Sequence, residues 1–205
     1  MKLNFKKKKQ QNFTYLVCKL NKNESFDLLK LAEINPSKYP FLLESSSRGN
    51  KLNRSSILFF SPRVVLKKDK KNFFFSDLKN IWQTEKLSQQ DIYEDDYKIP
   101  FFGGWFIYLG YEMAREVEIK LNIPDSPFIL PDAFAARVST AIVYDNISRK
   151  LFLVSDKING YEEDFQNILN DISNIDPEDK RPKTTGKIEV VSKGSEDEHQ
   201  SQVRT

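Results

Sequence analysis

The sequence has one cysteine and one histidine in 205 residues, and this scarcity excludes several kinds of site. Cys18 alone cannot form an internal disulfide, which favours a reducing, cytoplasmic setting. His199 is in a polar stretch near the end of the sequence, where we interpret it as a solvated side chain. With so few imidazole and thiolate ligands, we expect no transition-metal site. A phosphate-binding P-loop and a nucleophile elbow are both absent, so we assign no catalytic residue.

Long apolar runs and charge of a single sign are also missing. No run approaches the roughly 20 apolar residues needed to span a bilayer. The N-terminus, "MKLNFKKKKQQNF", lacks the apolar segment of a secretory signal. We interpret its Lys6 to Lys9 run as a solvated terminus rather than as a lipid or phosphate patch. The net charge is only +3, because 29 acidic residues nearly balance 32 basic ones. We therefore expect neither a membrane nor a nucleic-acid partner.

What the sequence does contain predicts a folded domain. Hydrophobic residues make up 39% of the chain, and 16 phenylalanines indicate a core lined by large rings. The predicted strands are 13–20, "PFLLES", "SILFF", "GWFIYLGY", 133–145 and "LFLVS", with a further hairpin formed by "RVVLKKD" and "NFFF" around Lys70 and Lys71. The predicted helices are 26–34 capped by Ser25, 76–87 capped by Ser76, and 161–175. Hairpin spacing dominates, so the fold class is α+β, a largely antiparallel sheet or sandwich with flanking helices.

Composition changes after Ile175. Residues 1–175 have the apolar periodicity of a domain, whereas residues 176–205 are charged and contain two prolines. We interpret this last segment as a linker or tail, with one short strand at 188–191.

Two further stretches contain unusual residues. In "FFGGWFIYLGYE", Gly103 and Gly104 lie between apolar residues, where glycine marks a bulge or a close backbone approach. We interpret it as a bent core strand that leaves room for neighbouring rings, because the spacing is not that of a dinucleotide fingerprint. The acidic "EDD" at 94–96 is interpreted as a solvated loop rather than as a site for a divalent cation.

The stretch "YPFLLESSSRGNKLNRSSILFF" places charge at the ends of two predicted strands. Glu44 and Ser45 end the first, and Arg54 precedes the second. The intervening loop is long enough to bring both strand ends to the same rim. Two interpretations remain open: these side chains line a ligand pocket, or Glu44 and Arg54 form an ion pair at the sheet edge.

Several motifs together resemble a known family. "YPFLLES", "RSSILF", "PFFGGWFIYLGYEMAREVE", "LPDAF" and "VYDNISRKLFLVS" occur in order between about Tyr39 and Ser155. They resemble the N-terminal region of the chorismate-utilising component I family, which comprises anthranilate synthase component I and aminodeoxychorismate synthase component I. "ILFF" and "GGWFIYLGYE" are more similar to the aminodeoxychorismate, or para-aminobenzoate, branch.

The resemblance implies a tryptophan-binding pocket in this region. Its matching residues here are Leu43, Glu44, Ser45, Leu52, Asn53, Arg54 and Ser55. A zwitterionic amino acid needs an acceptor for its ammonium and donors for its carboxylate. Leu43 and Leu52 would flank the indole ring. Ser55 departs from the family, which usually has an aromatic residue after the arginine.

The resemblance also implies that the chemistry lies elsewhere. In the family, the Mg²⁺ ligands, the acid/base groups and the chorismate contacts belong to a C-terminal catalytic domain. "EDEHQSQV" resembles the entry to the first helix of that domain. We therefore expect this chain to be an N-terminal fragment that is inactive alone.

The complete enzyme, by resemblance, converts chorismate to 4-amino-4-deoxychorismate, a folate precursor. It uses ammonia that a partner glutamine amidotransferase subunit, component II, releases from glutamine. Two alternatives are anthranilate synthase component I, in tryptophan biosynthesis, and a non-catalytic amino-acid-binding regulatory module.

Overall fold

The computed structural model divides the chain into two units, Met1–Ile175 and Asp176–Thr205. It describes residues 3–10, 13–21, 26–45, 54–68, 72–85, 91–125 and 129–175, all of which lie in the first unit. The predicted tail 176–205, its strand at 188–191 and His199 lie outside the described residues, as do Ser25, Lys70 and Lys71.

Eleven strands and four α-helices form the described part of the chain. The strands are β1 (Lys6–Gln10), β2 (Phe13–Lys19), β3 (Phe41–Leu43), β4 (Ser55–Phe60), β5 (Arg63–Lys67), β6 (Tyr93–Glu94), β7 (Tyr97–Lys98), β8 (Gly104–Leu109), β9 (Ala133–Val138), β10 (Thr140–Asp145) and β11 (Lys150–Ser155). The helices are α1 (Leu28–Ile34), α2 (Phe74–Glu85), α3 (Ala114–Val117) and α4 (Tyr161–Ser173), with a 3-10 turn at Tyr111–Met113.

The strands form two sheets and one short hairpin. Sheet A has six strands in the order β1-β2-β11-β10-β4-β3, and sheet B has three in the order β5-β9-β8. The hairpin consists of β6 and β7. Every pairing between the described strands is antiparallel. The predicted α+β class with a largely antiparallel sheet is confirmed.

The predicted single strand at 133–145 is wrong, because it divides into β9 and β10, which belong to different sheets. The chain changes sheet at a second place as well, between β4 in sheet A and β5 in sheet B. Thr140 pairs with Phe60 on one side of the crossing, and Arg63 pairs with Arg137 on the other. A single antiparallel ribbon therefore bends from one sheet into the other, as strands do at the corners of packed sheets.

The bend is held by the Arg137 guanidinium. Its Nη1 donates to the carbonyl oxygens of Gly104, at 3.0 Å, and Val138, at 2.6 Å. Its Nε donates to Glu85, at 2.9 Å, and its Nη2 donates to the buried Asp156 carboxylate. A buried guanidinium needs such partners, because unsatisfied donors lose the hydrogen bonds that water would supply.

The central strands β11, β10 and β4 of sheet A are buried on both faces, which explains their nearly continuous apolar sequences. One face contacts the β6–β7 hairpin and sheet B through Tyr15, Phe59, Val143, Phe152, Tyr97, Phe102 and Phe106. The other face contacts α1 and α4 through Leu31, Leu58, Ile142, Leu153, Phe165 and Ile168. The phenylalanines pack ring to ring as predicted; Phe41 stacks on Phe106 with their centroids 4.1 Å apart.

Helices α1 and α4 confirm the apolar periodicity of their segments. In α4, Phe165, Ile168 and Ile172 are buried on the face that packs on sheet A. The predicted Ser25 cap is wrong: helix α1 begins at Leu28, and its N-cap is Asp27, whose carboxylate accepts from the Leu29 N–H at 3.0 Å. An aspartate in this position satisfies a donor that the first helical turn leaves unpaired.

The predicted hairpin with "NFFF" and the Ser76 cap are both wrong. The chain continues from β5 into α2, which already begins at Phe74. Two remote contacts explain this start: Phe74 is fully buried beside Met113, and the Phe75 N–H donates to the Glu116 carboxylate at 2.8 Å. A carboxylate 41 residues away thus takes the place of a local cap.

The Lys6 to Lys9 run is a strand rather than a solvated terminus. Its side chains are exposed, but its backbone pairs with β2 at the edge of sheet A. Lys8 reaches Glu94 at 2.5 Å, and Lys7 reaches the Tyr161 hydroxyl at 3.1 Å. Lysines on an edge strand discourage pairing with another chain. Among the described helices, none is long and apolar enough to cross a membrane.

Candidate functional site

Strands β3 and β4 bring part of the predicted pocket together at one end of sheet A. Their register places Leu43 opposite Ile57, just before the segment that leads to Arg54. Beyond the end of β3, the Ser45 N–H donates to the Ser56 hydroxyl at 3.2 Å. The same hydroxyl accepts from the Asn146 amide at 3.2 Å, which adds the turn after β10 to this rim. The Ser45 backbone and the start of β4 thus lie at the same end of sheet A, and the assignment of these residues to one pocket stays a prediction.

Arg54 lies at this rim, and its guanidinium forms an ion pair with Asp145, the last residue of β10. Arg54 Nε is 2.8 Å from one carboxylate oxygen, and Nη2 is 2.7 Å from the other. Asp145 also accepts from the Ile147 N–H and the Ser148 hydroxyl. Burial opposes ionisation of Asp145, but these hydrogen bonds outweigh it and lower the pKa of the carboxyl below its usual value. Asp145 is therefore ionised and holds Arg54 in one orientation.

The β6–β7 hairpin covers the same guanidinium. Arg54 lies over the Tyr97 ring, 4.5 Å from the centroid, in the geometry of a cation–π contact. The Tyr97 hydroxyl is 2.7 Å from the Ser55 hydroxyl, and burial raises the pKa of Tyr97 to about 12. On the turn of the hairpin, one Asp96 oxygen is 3.7 Å from Arg54 Nη1. Ser45, Arg54 and Ser55 are thus brought together with three residues that the sequence analysis did not assign.

Other members of the predicted set lie differently. Leu43 is half exposed and Glu44 is exposed. The ion pair between Glu44 and Arg54 does not form in the described part of the chain, since the guanidinium pairs with Asp145 and Asp96. Leu52 and Asn53 lie outside the described residues.

Asp145, Asp96 and Tyr97 were missed because their roles depend on distant pairings. Asp145 is opposite Ser55 only through the register of β10 on β4. A local signal existed for it: an aspartate ends an apolar strand immediately before the turn sequence "NISRK". The "EDD" stretch is likewise not a simple solvated loop, because Glu94 is buried and accepts from Tyr15 and Lys8.

The site combines a fixed guanidinium, an aromatic ring and hydroxyl groups. Arg54 Nη1 lies 3.7 Å from the exposed Asp96 carboxylate, and the Arg54 side chain is only 16% exposed. No group of three or more His, Cys, Asp or Glu residues that could hold a metal comes together among the described residues. Arginine is the side chain best suited to a carboxylate, so a carboxylate-bearing ligand is the chemistry to test at this rim.

The chain is similar in sequence to known proteins. No protein-family model matches the chain. It is 31% identical over 165 residues to anthranilate synthase component 1 of Saccharomyces cerevisiae, covering 75% of this chain and 32% of that protein. It is 30% identical over 96 residues to anthranilate synthase component 1 of Acinetobacter calcoaceticus, covering 41% and 19%. The solved structure of anthranilate synthase component I from Streptococcus pneumoniae TIGR4 is 18% identical, with a TM-score of 0.47, over 77% of this chain and 38% of that chain.

The chain spans about a third of the length of its yeast relative and less of the bacterial one. These relatives indicate the anthranilate synthase component I family, in agreement with the motifs between Tyr39 and Ser155. The narrower assignment to the aminodeoxychorismate branch stays a prediction.

Proposed function

We propose that this chain is the N-terminal part of a chorismate-utilising component I enzyme. The observation that carries the proposal is the 31% identity over 165 residues to anthranilate synthase component 1 of yeast. The order of the motifs supports it, because "FLLES", "GGWFIYLGYE" and "LFLVS" are strands or strand ends of one domain.

Two branches of the family are candidates for the product. Relatives from yeast, Acinetobacter calcoaceticus and Pseudomonas putida are all named anthranilate synthase component 1, which favours anthranilate. The segment "GGWFIYLGYE" favours 4-amino-4-deoxychorismate, because it resembles that branch more closely. We place anthranilate synthesis first and keep 4-amino-4-deoxychorismate synthesis as the second candidate.

Catalysis is assigned to the complete enzyme. Chorismate, Mg²⁺ and ammonia from a glutamine amidotransferase subunit are its proposed substrates, cofactor and partner. This chain alone is proposed to be inactive, because the resemblance assigns the catalytic groups to a C-terminal domain. A cytoplasmic setting is part of the same proposal.

The proposed role of this domain is to bind tryptophan as an effector. Ser45, Arg54 and Ser55 meet at one rim, and the guanidinium is fixed by Asp145 and Tyr97 before any ligand arrives. A fixed donor loses less conformational freedom on binding than a mobile one. Leu43, Glu44, Leu52 and Asn53 complete the proposed site. A regulatory module without catalysis would use the same residues.

The surface around β8 supports a domain that packs against further protein. Strand β8 pairs only with β9 in the described part of the chain, and it carries neither lysine nor proline. Ile107 and Leu109 are half exposed on it. Long apolar edges of this kind are usually covered, because they otherwise pair with other chains.

The test is a product assay with the complete protein and its amidotransferase subunit. Chorismate, glutamine and Mg²⁺ are supplied, and the product is identified by mass spectrometry. Anthranilate supports the first candidate, and 4-amino-4-deoxychorismate supports the second. Failure to consume chorismate, in a complex that hydrolyses glutamine, would leave the regulatory module as the function.

A further inference from the structure

We propose that the cavity between helix α2 and strand β8 binds a small, flat aromatic carboxylate. The ring of the ligand packs against Trp82 and Trp105, and its carboxylate meets Lys79. This cavity shares no residue with the rim of sheet A. The inference therefore stands whichever product the complete enzyme forms.

The cavity has a volume of about 510 Å³, which is within the range of small-molecule sites in proteins. One wall comes from α2, where Phe75, Leu78 and Trp82 follow the i, i+3 and i+7 spacing of a single helix face. The other wall comes from β8, through Trp105 and Ile107. The cavity is therefore bounded on two sides by large apolar side chains.

The core beneath these walls holds them in place. Phe75, Leu78 and Trp105 pack against the buried cluster that contains Phe74. Side chains alternate along a strand, so Trp105 lies on the face of β8 toward α2, whereas Phe106 packs against the core on the other face. The cavity thus lies on a face of β8, and further protein that pairs with this strand would cover its edge. Walls that are packed before a ligand arrives lose little conformational freedom on binding.

Aromatic side chains on both walls favour a flat ring as the ligand. Trp82 and Trp105 are the only tryptophans in the 205 residues, and they line this cavity from two different elements. Trp82 is 45% exposed, so a large part of its ring is accessible. Aromatic rings attract one another in stacked or edge-to-face arrangements beyond the effect of burial alone. A ligand ring gains such contacts at both walls, and an aliphatic ligand does not.

The charge at the cavity is positive, which favours an anion. Of the described residues that line it, only Lys79 is charged. Lys79 is exposed and forms no ion pair within the described part of the chain, and none of the residues three or four positions from it on α2 is acidic. The stem of a lysine covers apolar surface while its ammonium stays in water. A carboxylate at the mouth of the cavity therefore meets an opposite charge without leaving water.

The experiment follows the tryptophan fluorescence of the chain of 205 residues, because both of its tryptophans line the cavity. The probes are para-toluate, the neutral amide para-toluamide, and the hydrogenated acid, whose ring is not flat. We expect para-toluate to shift the emission saturably and to bind about fivefold more tightly than the amide, the effect of one exposed charge pair. Lys79→Gln should remove that difference. Lys120→Gln is the matched control, because Lys120 is also exposed but does not line the cavity.

A second variant tests the aromatic wall. We expect Trp82→Leu to bind para-toluate about threefold to tenfold more weakly, because one of the ring contacts is lost. The emission of Trp105 still reports binding in this variant. Tyr111→Leu is the control, since Tyr111 is an exposed aromatic residue outside the cavity.

Each outcome decides a different point. Weaker binding in Lys79→Gln and Trp82→Leu, with both controls unchanged, supports the inference. Equal affinities for the acid and the amide would overturn the carboxylate, and equal affinities for the flat and the hydrogenated acid would overturn the aromatic ring. A chain whose emission does not respond to para-toluate would overturn the site. Binding to the chain of 205 residues but not to the complete protein, measured by calorimetry, would show that further protein fills the cavity and would also overturn it. None of these results depends on the chorismate assay, so the two proposals can fail separately.

Discussion

Arg54 and Asp145 form a bidentate ion pair, with Nε 2.8 Å and Nη2 2.7 Å from the two carboxylate oxygens. The pair joins the residue before β4 to the last residue of β10 at the rim of sheet A. Asp145 is completely buried, so this pair allows a charged group to remain inside the fold. The rim is therefore both a structural joint and the candidate binding site.

Replacement of Asp145 by asparagine tests the structural part of this joint. We expect Asp145→Asn to lower the free energy of unfolding by about 3 kcal/mol at pH 7, because Arg54 loses its counter-charge. Urea denaturation followed by circular dichroism measures the change. The control is Asp91→Asn, whose exposed pair with Lys98 is worth at most about 1 kcal/mol. An equal, small effect of both variants would contradict the assignment.

The same pair predicts a pH dependence. The pKa of Asp145 is lower in the folded protein than the usual value of about 3.9. Its contribution is therefore present above that value and is lost as the pH falls through the folded pKa. The difference in stability between wild type and Asp145→Asn should be constant from pH 7 to about 5 and shrink below about 4. A difference that grew on acidification would have the wrong sign.

Gly103 supports a second prediction, at the bend between the sheets. Its φ is +137°, and an added Cβ would overlap the Asp156 carboxylate that pairs with Arg137. We expect Gly103→Ala to cost about 2–4 kcal/mol of unfolding free energy, from both strain and overlap. Gly160→Ala is the matched control: its φ is +80°, but nothing lies within 4 Å of an added Cβ. That variant should cost only about 1–2 kcal/mol, and equal costs would contradict a close approach at Gly103.

The interpretation of this stretch as a bent core strand with room for rings is wrong in two respects: the close neighbour of Gly103 is the Asp156 carboxylate, and β8 lies at an edge of sheet B with no buried residue. The ring that was predicted lies beside Gly104, where Phe101 is 3.4 Å from an added Cβ.

Sequence periodicity predicted the antiparallel class, the α4 helix and the β10–β11 hairpin, because each depends on neighbouring residues. It did not predict the division between β9 and β10. The segment around Ser139 has no proline or glycine, and the bend is held by Asp156, whose N–H donates to the Ser139 carbonyl. The start of α2 was also not predicted, because the residue that caps it, Glu116, is distant along the chain.

The candidate site, too, could be predicted from the sequence only in part. The motifs located Ser45 and Arg54 correctly at one rim. Asp145 and Tyr97 come from other parts of the chain, and only the strand register and the hairpin bring them there. Local sequence patterns predict a long apolar strand, but they do not predict which distant segments pair with it.

The apolar surface beside β8 leads to a prediction for the isolated chain of 205 residues. We expect it to bind a hydrophobic dye and to self-associate at high concentration, since large uncovered apolar surfaces do both. Ile107→Lys should reduce both effects, because it places a charge in the middle of the unprotected edge. Light scattering and dye fluorescence measure the change.

The control for that surface is Ile147→Lys. Ile147 is similarly exposed but lies in the turn after β10, away from β8. It should leave dye binding unchanged. An isolated chain that stays monomeric and binds no dye would count against a domain that packs on further protein.

The last prediction concerns tryptophan binding at the rim. Arg54→Ala alone is a poor test, because it leaves the buried Asp145 without its partner. Arg54→Lys keeps the positive charge but lacks the planar fork, so it cannot hold Asp145 and a ligand carboxylate together. We expect tryptophan to bind at least about tenfold more weakly to Arg54→Lys in the complete protein, the loss of one charge-assisted hydrogen bond.

Ser45→Ala complements that variant. The Ser45 backbone N–H donates to Ser56 and is unchanged by the substitution, so only the hydroxyl is lost. A hydrogen bond from this hydroxyl to the amino-acid head group should make the variant bind tryptophan about threefold to tenfold more weakly. Thr84→Ala, an exposed change on α2, is the control and should have no effect. If the complete protein binds tryptophan and neither Arg54→Lys nor Ser45→Ala changes the affinity, tryptophan binds elsewhere and the rim is only a structural joint.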